Sequence, residues 1–294
     1  MVIVRLTGGI GNQMFQYAAA RRVSLVNNTP LFLDLGWFQE TGSWTPRKYE
    51  LDAFRIAGES ASVGDIKDFK SRRQNAFFRR LPLFLKKRIF HTRQTHIIEK
   101  SYNFDPEILN LQGNVYLDGY WQSEKYFSDV DSEIRREFSF QTDPAERNRK
   151  ILERIASCES VSIHIRRGDY VTLPDANAFH GLCTPAYYRL AVEQISRKVV
   201  EPVFFVFSDD IAWARGNLKL GFETCFMDQN GPDRGDEDLR LMIACRHHII
   251  ANSSFSWWGA WLCSNPEKIV YAPRKWFNNG LDTPDNIPAS WIRI

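Results

Sequence analysis

The segment Val161-Ser-Ile-His-Ile-Arg-Arg-Gly-Asp-Tyr170 alternates apolar and small polar residues, then ends in His164, Arg166, Arg167, Gly168 and Asp169. It reads as a strand whose carboxyl end carries two guanidinium groups. In an open α/β sheet, ligands bind beyond the carboxyl ends of the strands. Guanidinium groups offer fixed, charge-assisted forks to phosphate oxygens, so a diphosphate suits this pair. A strand end capped by solvated arginines is the alternative. Two further strand ends carry polar clusters, Phe207-Ser208-Asp209-Asp210 and Ile250-Ala251-Asn252-Ser253-Ser254-Phe255-Ser256. Carboxylates suit the N–H groups of guanine or the hydroxyls of ribose. Serines opening a helix suit phosphate oxygens. Ordinary N-capping by Asp209 and Ser254 explains each cluster singly, and explains three together less well.

A second candidate is the turn Gly8-Gly9-Ile10-Gly11-Asn12-Gln13-Met14, which follows an apolar strand and opens a helix. Asp34 closes the next strand at about the distance where a dinucleotide fold places its ribose acid. The fingerprint is incomplete, because Met14 stands where the third glycine belongs, so a nicotinamide or flavin site is a weak reading. A tight β-α turn needing glycine backbone freedom accounts for the glycines equally well. On either reading a helix N-terminus offers N–H groups to an anion or a sugar hydroxyl. Asn12 and Gln13 project amides from it.

No metal site is expected. Asp209-Asp210, Asp236-Glu237-Asp238 and Asp129-Val130-Asp131 carry carboxylates at spacings common on turns and helix starts. Two arginines already supply the charge that a departing diphosphate needs. His247 and His248 are neighbours on a strand and point to opposite faces. Five cysteines, an odd number without a C-x-x-C pair, suggest neither a disulfide framework nor zinc, and fit a reducing compartment.

The elements that must position these groups follow from periodicity. Strands are expected at 2–6, 31–35, 95–99 and 115–120, and helices at 12–27, 64–93, 124–138 and 144–157. The stretch 36–60 reads as irregular. Beyond it, strands at 160–165, 202–208, 222–227, 248–252 and 268–272 alternate with helices at 184–199, 210–218, 237–247 and 255–263. Alternation of this kind means parallel sheets with right-handed crossovers. Two Rossmann-like domains are expected, 1–150 and 151–294, joined around 140–158.

Apolar residues make up 44% of the 294, enough for a packed core, and the net charge of +3 is too small to imply nucleic-acid binding. The charge is uneven: between Lys67 and Lys100 eleven Lys/Arg stand against Asp68 and Glu99. Within it, residues 77–90 interleave cations with phenylalanine and leucine. That is a solvated helix with one core face, or a segment that docks on an anionic membrane surface. Met1–Leu6 is too short for a secretory signal and no apolar stretch reaches membrane-spanning length. A cytoplasmic protein is expected, at most peripheral at the inner face of the cell membrane.

Taken together, Gly8–Tyr17, Gly119-Tyr120-Trp121-Gln-Ser-Glu-Lys-Tyr-Phe127, His164–Tyr170, Phe207–Asp210 and Ile249–Leu262 resemble the α-1,2-fucosyltransferases of glycosyltransferase family 11, in family order and over nearly the whole chain. The resemblance is to bacterial members. It implies a GT-B fold, two Rossmann-like domains facing a cleft, with the second domain holding the donor. It implies inverting, metal-independent transfer of L-fucose from GDP-β-L-fucose, without cofactor, to the 2-hydroxyl of a terminal β-galactose on an oligosaccharide or glycolipid, as in surface polysaccharide synthesis. On this basis His164, Arg166 and Arg167 attend the diphosphate. Ser208, Asp209 and Asp210 read guanine or ribose, and Asn252, Ser253, Ser254, Phe255 and Ser256 line the phosphates. Gly9, Gly11 and Asn12 close on the donor from the other side. Gln13, Tyr120 and Trp121 meet the acceptor, the two rings serving either as stacking platforms or as core packing. Trp257, Trp258 and Trp261 are read as helix packing. The general base is expected at Asp169 or Asp175, although Asp169 also suits an ion pair that orients Arg166 or Arg167. A catalytically silent GDP-sugar-binding or membrane-scaffold protein is the competing reading.

Overall fold

In the computed structural model the described residues are 1–40, 45–71, 94–278, 280–281 and 283–294, excluding the side chains of residues 68, 70, 71, 94, 169, 172, 174 and 176. Residues 77–90, the basic aromatic segment, lie outside them. The chain divides into two compact units, Met1–Gln141 and Thr142–Ile294.

In the first unit the order is β1 (Val2–Arg5), α1 (Ile10–Val26), β2 (Leu31–Asp34), β3 (Glu59–Ser60), α2 (Val63–Ser71), β4 (Gln94–Ile98), β5 (Asn114–Asp118) and α3 (Asp131–Glu137). The five strands pair in parallel in the order β3-β2-β1-β5-β4. Val2, Ile3, Val4, Val115, Tyr116 and Leu117 are buried, as strands covered on both faces require. The chain order reverses between β1 and β5, so the switch point lies at their carboxyl ends.

In the second unit the elements are α4 (Glu146–Ala156), β6 (Glu159–Ile165), α5 (Gly168–Thr172), α6 (Pro174–His180), α7 (Pro185–Ser196), β7 (Pro202–Ser208), α8 (Ile211–Asn217), β8 (Thr224–Met227), α9 (Gly235–Ala244), β9 (His247–Ile249), α10 (Ser254–Leu262), β10 (Val270–Ala272) and β11 (Ile292–Arg293). The strand order β11-β10-β9-β6-β7-β8 is all parallel. It is the doubly wound dinucleotide order, with its switch point between β6 and β9. The period-two alternation of β7 divides the core. Phe204 and Val206 pack with Tyr188, Ala191, Val192 and Ile195 of α7. Val203, Phe205 and Phe207 pack with Ile155 of α4 and with Leu241 and Met242 of α9.

The differences from expectation have local causes. The division between units falls before α4, whereas a boundary at 150 cuts that helix. Ile155 is buried in the second core and carries α4 with it. The helix expected over 124–138 begins with short turns, Glu124–Tyr126 and Ser128–Val130, because Ser123 caps the first and Phe127 leaves helical backbone at φ −145°. Two short helices, α5 and α6, occupy the stretch between Arg167 and Thr184, where the sequence pattern shows no element. β3 and β11 have two residues each, too short to show a period. His248 bonds Ser162 Oγ at 2.8 Å while His247 accepts from Ile269 N–H at 3.0 Å, so the neighbouring histidines serve different partners. Trp257, Trp258 and Trp261 are buried within α10. Asp34 is also occupied internally, accepting from Tyr116 Oη at 2.5 Å and from Gly36 N–H at 2.9 Å, which removes it as a ribose reader.

The first unit is cross-linked by Glu137, which accepts from Tyr17 Oη at 2.5 Å and from Arg21 Nε and Nη2 at 3.0 and 2.8 Å. Removing one partner of a buried charged set strands the others. Glu137→Ala should therefore cost about 3 kcal/mol, read as a lower urea midpoint at unchanged m value.

Candidate functional site

The β6–β7 register places the arginines. Ile165 lies opposite Ser208, so one further step sets Arg166 beside Asp209. The pair closes as an ion pair, Arg166 Nη1 to Asp209 Oδ2, at 2.8 Å. The other carboxylate oxygen accepts from the Arg167 backbone N–H at 2.8 Å. Arg167 Nε donates to Asp210 Oδ2 at 3.2 Å, and its guanidinium lies 3.9 Å from the centre of the Trp213 ring. Asp210 also caps α8, accepting from Trp213 N–H at 3.1 Å, while Ser208 Oγ accepts from Asp210 N–H at 3.0 Å. Gly168 is required by packing: a β-carbon there would stand 2.6 Å from Asp209 Oδ2. The Arg166 guanidinium is 5.4 Å from the Tyr170 ring centre. Both arginine side chains remain about a fifth exposed, at 22% and 18%.

The third cluster joins through His164. Its ring meets Phe255, at the start of α10, at 5.4 Å between centres. His164 is 5% exposed, and burial followed by the charge of Arg166 pushes its pKa down to about 3. It is a neutral imidazole at any working pH, so the positive charge at this strand end comes from the arginines. Ser254 and Phe255 are half-buried and Ser256 is buried, its hydroxyl donating to Ser253 O at 3.3 Å. Ser253 holds the N-cap position of α10 without a side-chain capping bond. Asn252 behaves differently from its neighbours. Its amide nitrogen donates to His180 O, Gly181 O and Trp276 O at 2.8, 3.3 and 3.2 Å. That amide ties together the chain beyond β6, β9 and β10. Asp175 is exposed on α6, and Asp169 belongs to α5.

In the first unit the glycine turn is built as expected, with Gly9 as the N-cap of α1. Gly8 sits at φ +74°, and a β-carbon there would meet Asn12 Nδ2 at 2.7 Å. Gly11 is buried, and the Asn12 amide oxygen accepts from Gln122 Nε2 at 2.9 Å. Two residues expected to meet an acceptor do not. Gln13 is fully buried, donating to Gly8 O and Lys48 O and accepting from Glu50 N–H, each at 2.9 Å. Its amide is committed to holding the turn. Trp121 is 1% exposed and packs edge-on to Tyr126 at 5.6 Å, so its ring is core rather than platform.

Tyr120 is half-buried, and its surroundings include residues that sequence reasoning did not single out. Ile98 lies opposite Asp118, so Glu99 falls beside Gly119. Glu99 accepts the backbone N–H of Tyr120 at 2.6 Å and of Trp121 at 3.0 Å. A β-carbon on Gly119 would stand 2.3 Å from that of Glu99, which explains the glycine. Trp121 adopts φ +55°, a strained value for a bulky residue. The available signal was a glutamate closing one strand opposite a glycine closing the next. Asp238, at the start of α9, was set aside as a turn carboxylate. It is pushed up to about 6 by burial, although Asn230 donates to it at 2.7 Å. An open hollow of about 940 Å³ involves Glu159, Pro202, Glu223 and Arg246, at the opposite, amino edge of the second sheet. No metal-binding group of three or more His, Cys, Asp or Glu occurs among the described residues. No helix there is long and apolar enough to cross a membrane.

Residues 53–294 match the family described as glycosyl transferase family 11. The chain belongs to glycosyl transferase family 11. This family 11 chain is 35% identical to an alpha-1,2-colitosyltransferase of Escherichia coli, over 100% of this chain and 99% of that protein. It is also 35% identical to the O-antigen biosynthesis glycosyltransferase WbnK of Escherichia coli, over 98% and 99%. It shares 27% identity with galactoside alpha-(1,2)-fucosyltransferase 1 of Saimiri boliviensis boliviensis, over 50% of this chain and 42% of that one. Among solved structures it resembles a mutant of Arabidopsis thaliana FUT1 in complex with GDP, with a TM-score of 0.54 and 9% identity, over 92% of this chain and 70% of that one. The architecture is of the GT-B type, two units with parallel sheets.

Two outcomes test this geometry. Gly168→Ala should displace Asp209 and loosen both arginines, lowering stability by roughly 1–3 kcal/mol, measured by urea unfolding. Burial pushes Glu99 up to about 7 from 4.5, against the two N–H bonds that pull it down. An acid whose pKa is raised on folding favours the fold below its unfolded value, and loses that contribution as pH rises through its folded value. Melting curves of wild type minus Glu99→Gln should therefore fall between about pH 4.5 and 7 and level off above about pH 8.

Proposed function

We propose that this family 11 protein transfers L-fucose from GDP-β-L-fucose to the 2-hydroxyl of a terminal β-galactose, with inversion, in the building of a surface polysaccharide or glycolipid. The observation that carries the reading is Arg166, held by Asp209 at 2.8 Å at the carboxyl end of β6, beside the switch point of a dinucleotide-type sheet. The likeness to a fold solved with GDP, and to proteins named for α-1,2 transfer and for galactosides, supports it.

On this reading the acceptor oxygen bonds to C1 of the sugar as the bond from C1 to the β-phosphate oxygen breaks. The electron pair leaves with GDP, and the 2-hydroxyl proton passes to a base. Charge grows on the β-phosphate in the transition state, so a guanidinium placed in advance acts most where the charge appears. Arg166 takes that role and Arg167 supports the diphosphate. His164, neutral, stands behind them. Ser254, Phe255 and Ser256 present the N-terminal end of α10 to phosphate. Asp209 and Asp210 are assigned to aiming the arginines, a use their ion pairs favour over reading guanine. Asp169 and Asp175 remain the proposed bases, and Gly9, Gly11 and Asn12 the turn that closes on the donor.

A second donor has a specific observation in its favour, the 35% likeness over the full chain to a colitosyltransferase. Colitose is fucose without its 3-hydroxyl, and the same diphosphate chemistry serves both. Parallel transfer assays with GDP-fucose and GDP-colitose decide between them. With either donor, GDP should raise the melting temperature where UDP and NAD do not. Arg166→Ala should abolish that shift and lower kcat by about 10²–10³. Stabilisation by UDP alone would remove the donor assignment.

A further inference from the structure

The switch point of the first sheet, between β1 and β5, is where this fold places a ligand. Three side chains are built around it. Tyr120, just past β5, is held through its backbone N–H, which donates to Glu99 at 2.6 Å. Tyr102 lies against it, the two rings nearly parallel at 17° with centres 6.0 Å apart, and both are half-buried. Glu99 closes the adjacent strand and is seated by two main-chain N–H groups, by the missing side chain of Gly119 and by the left-handed turn at Trp121. A stacked aromatic pair beside a carboxyl group has the chemistry of a pyranose site: C–H groups of the sugar ring lie on the outer aromatic face, and the carboxyl oxygens accept sugar hydroxyls.

We infer that Tyr102, Tyr120 and Glu99 form the subsite that holds the terminal hexose of the acceptor, with the sugar lying on the outer face of the stacked tyrosine pair. The inference rests on the functional reading above and adds Tyr102 and Glu99 to it, in place of the buried Trp121 and Gln13. Burial raises the Tyr102 hydroxyl to about 12, with Tyr120 and Glu99 adding to it, so the phenol stays protonated and uncharged and the ring carries the contact. The site lies wholly within the first unit. Its loss should leave nucleotide binding by the second unit intact, and that separates it from a defect in the donor site.

The test uses the full chain, lactose as acceptor and GDP as the nucleotide probe. Tyr102→Ala should raise the lactose KM about 10-fold, with kcat and the GDP-induced melting shift close to wild type. Tyr102→Phe, which keeps the ring, should restore KM to within about twofold. Saturation-transfer NMR on lactose should show contact to the galactose ring protons in wild type and Tyr102→Phe, and its loss in Tyr102→Ala. Glu99→Gln should raise the lactose KM while GDP still shifts the melt, which shows that the variant is folded. An unchanged lactose KM and unchanged saturation transfer in Tyr102→Ala would overturn the subsite. Wild type that fails to respond to GDP would instead overturn the functional reading on which the subsite rests.

Discussion

A parallel sheet covered on both faces has only its strand ends to offer a ligand. Everything chemical in this protein follows from that restriction. In the second unit the strands are buried through Ile165 and Phe207, and exposure begins with the next residues. Register then decides which polar groups meet. Arg166 falls beside Asp209 because Ile165 falls beside Ser208, and no loop search is needed to bring them together. Glu99 and Gly119 meet for the same reason in the first unit. Each sheet thus fixes its own edge chemistry to within a strand spacing.

The ion pairs at the β6–β7 edge have a dual character. On the proposed reading these guanidinium groups meet a diphosphate and gain from being aimed, and the ion pairs with Asp209 and Asp210 supply the aim. They also temper the positive charge before a ligand arrives. Trp213 under Arg167 and Tyr170 near Arg166 add a face that attracts cations without neutralising them. The combination holds the guanidinium groups in place by contacts on several sides and leaves a phosphate to compete for part of their hydrogen-bonding capacity. His164 contributes shape rather than charge, because burial keeps it neutral.

Much of this was legible in the residues. The strand that leads into Arg166 and Arg167, the alternation that gives two parallel sheets and the glycine turn before α1 are periodic or punctuated signals, and they survive in the structure. Less legible were features that depend on what lies opposite. Nothing local marks Gln13 as buried; its amide is consumed by Lys48 and Glu50, far along the chain. For Trp121 the sequence leaves stacking platform and core packing open, and the structure, with a left-handed backbone and 1% exposure, places it in the core. The partnership of Tyr102 with Tyr120 joins two loops that follow different strands, a relation set by strand order and not by spacing. α5 and α6 were missed because helices of five and seven residues carry too few turns for a pattern.

Asn252 has a consequence of a mechanical kind. One side-chain amide binds carbonyls from His180, Gly181 and Trp276, so stretches separated by nearly a hundred residues are fastened at a single knot. The segment after Arg167 is therefore no detachable module. Grafting it from a relative would import carbonyls shaped for a different fastening, and the exchange would succeed only if the chain around Trp276 travelled with it.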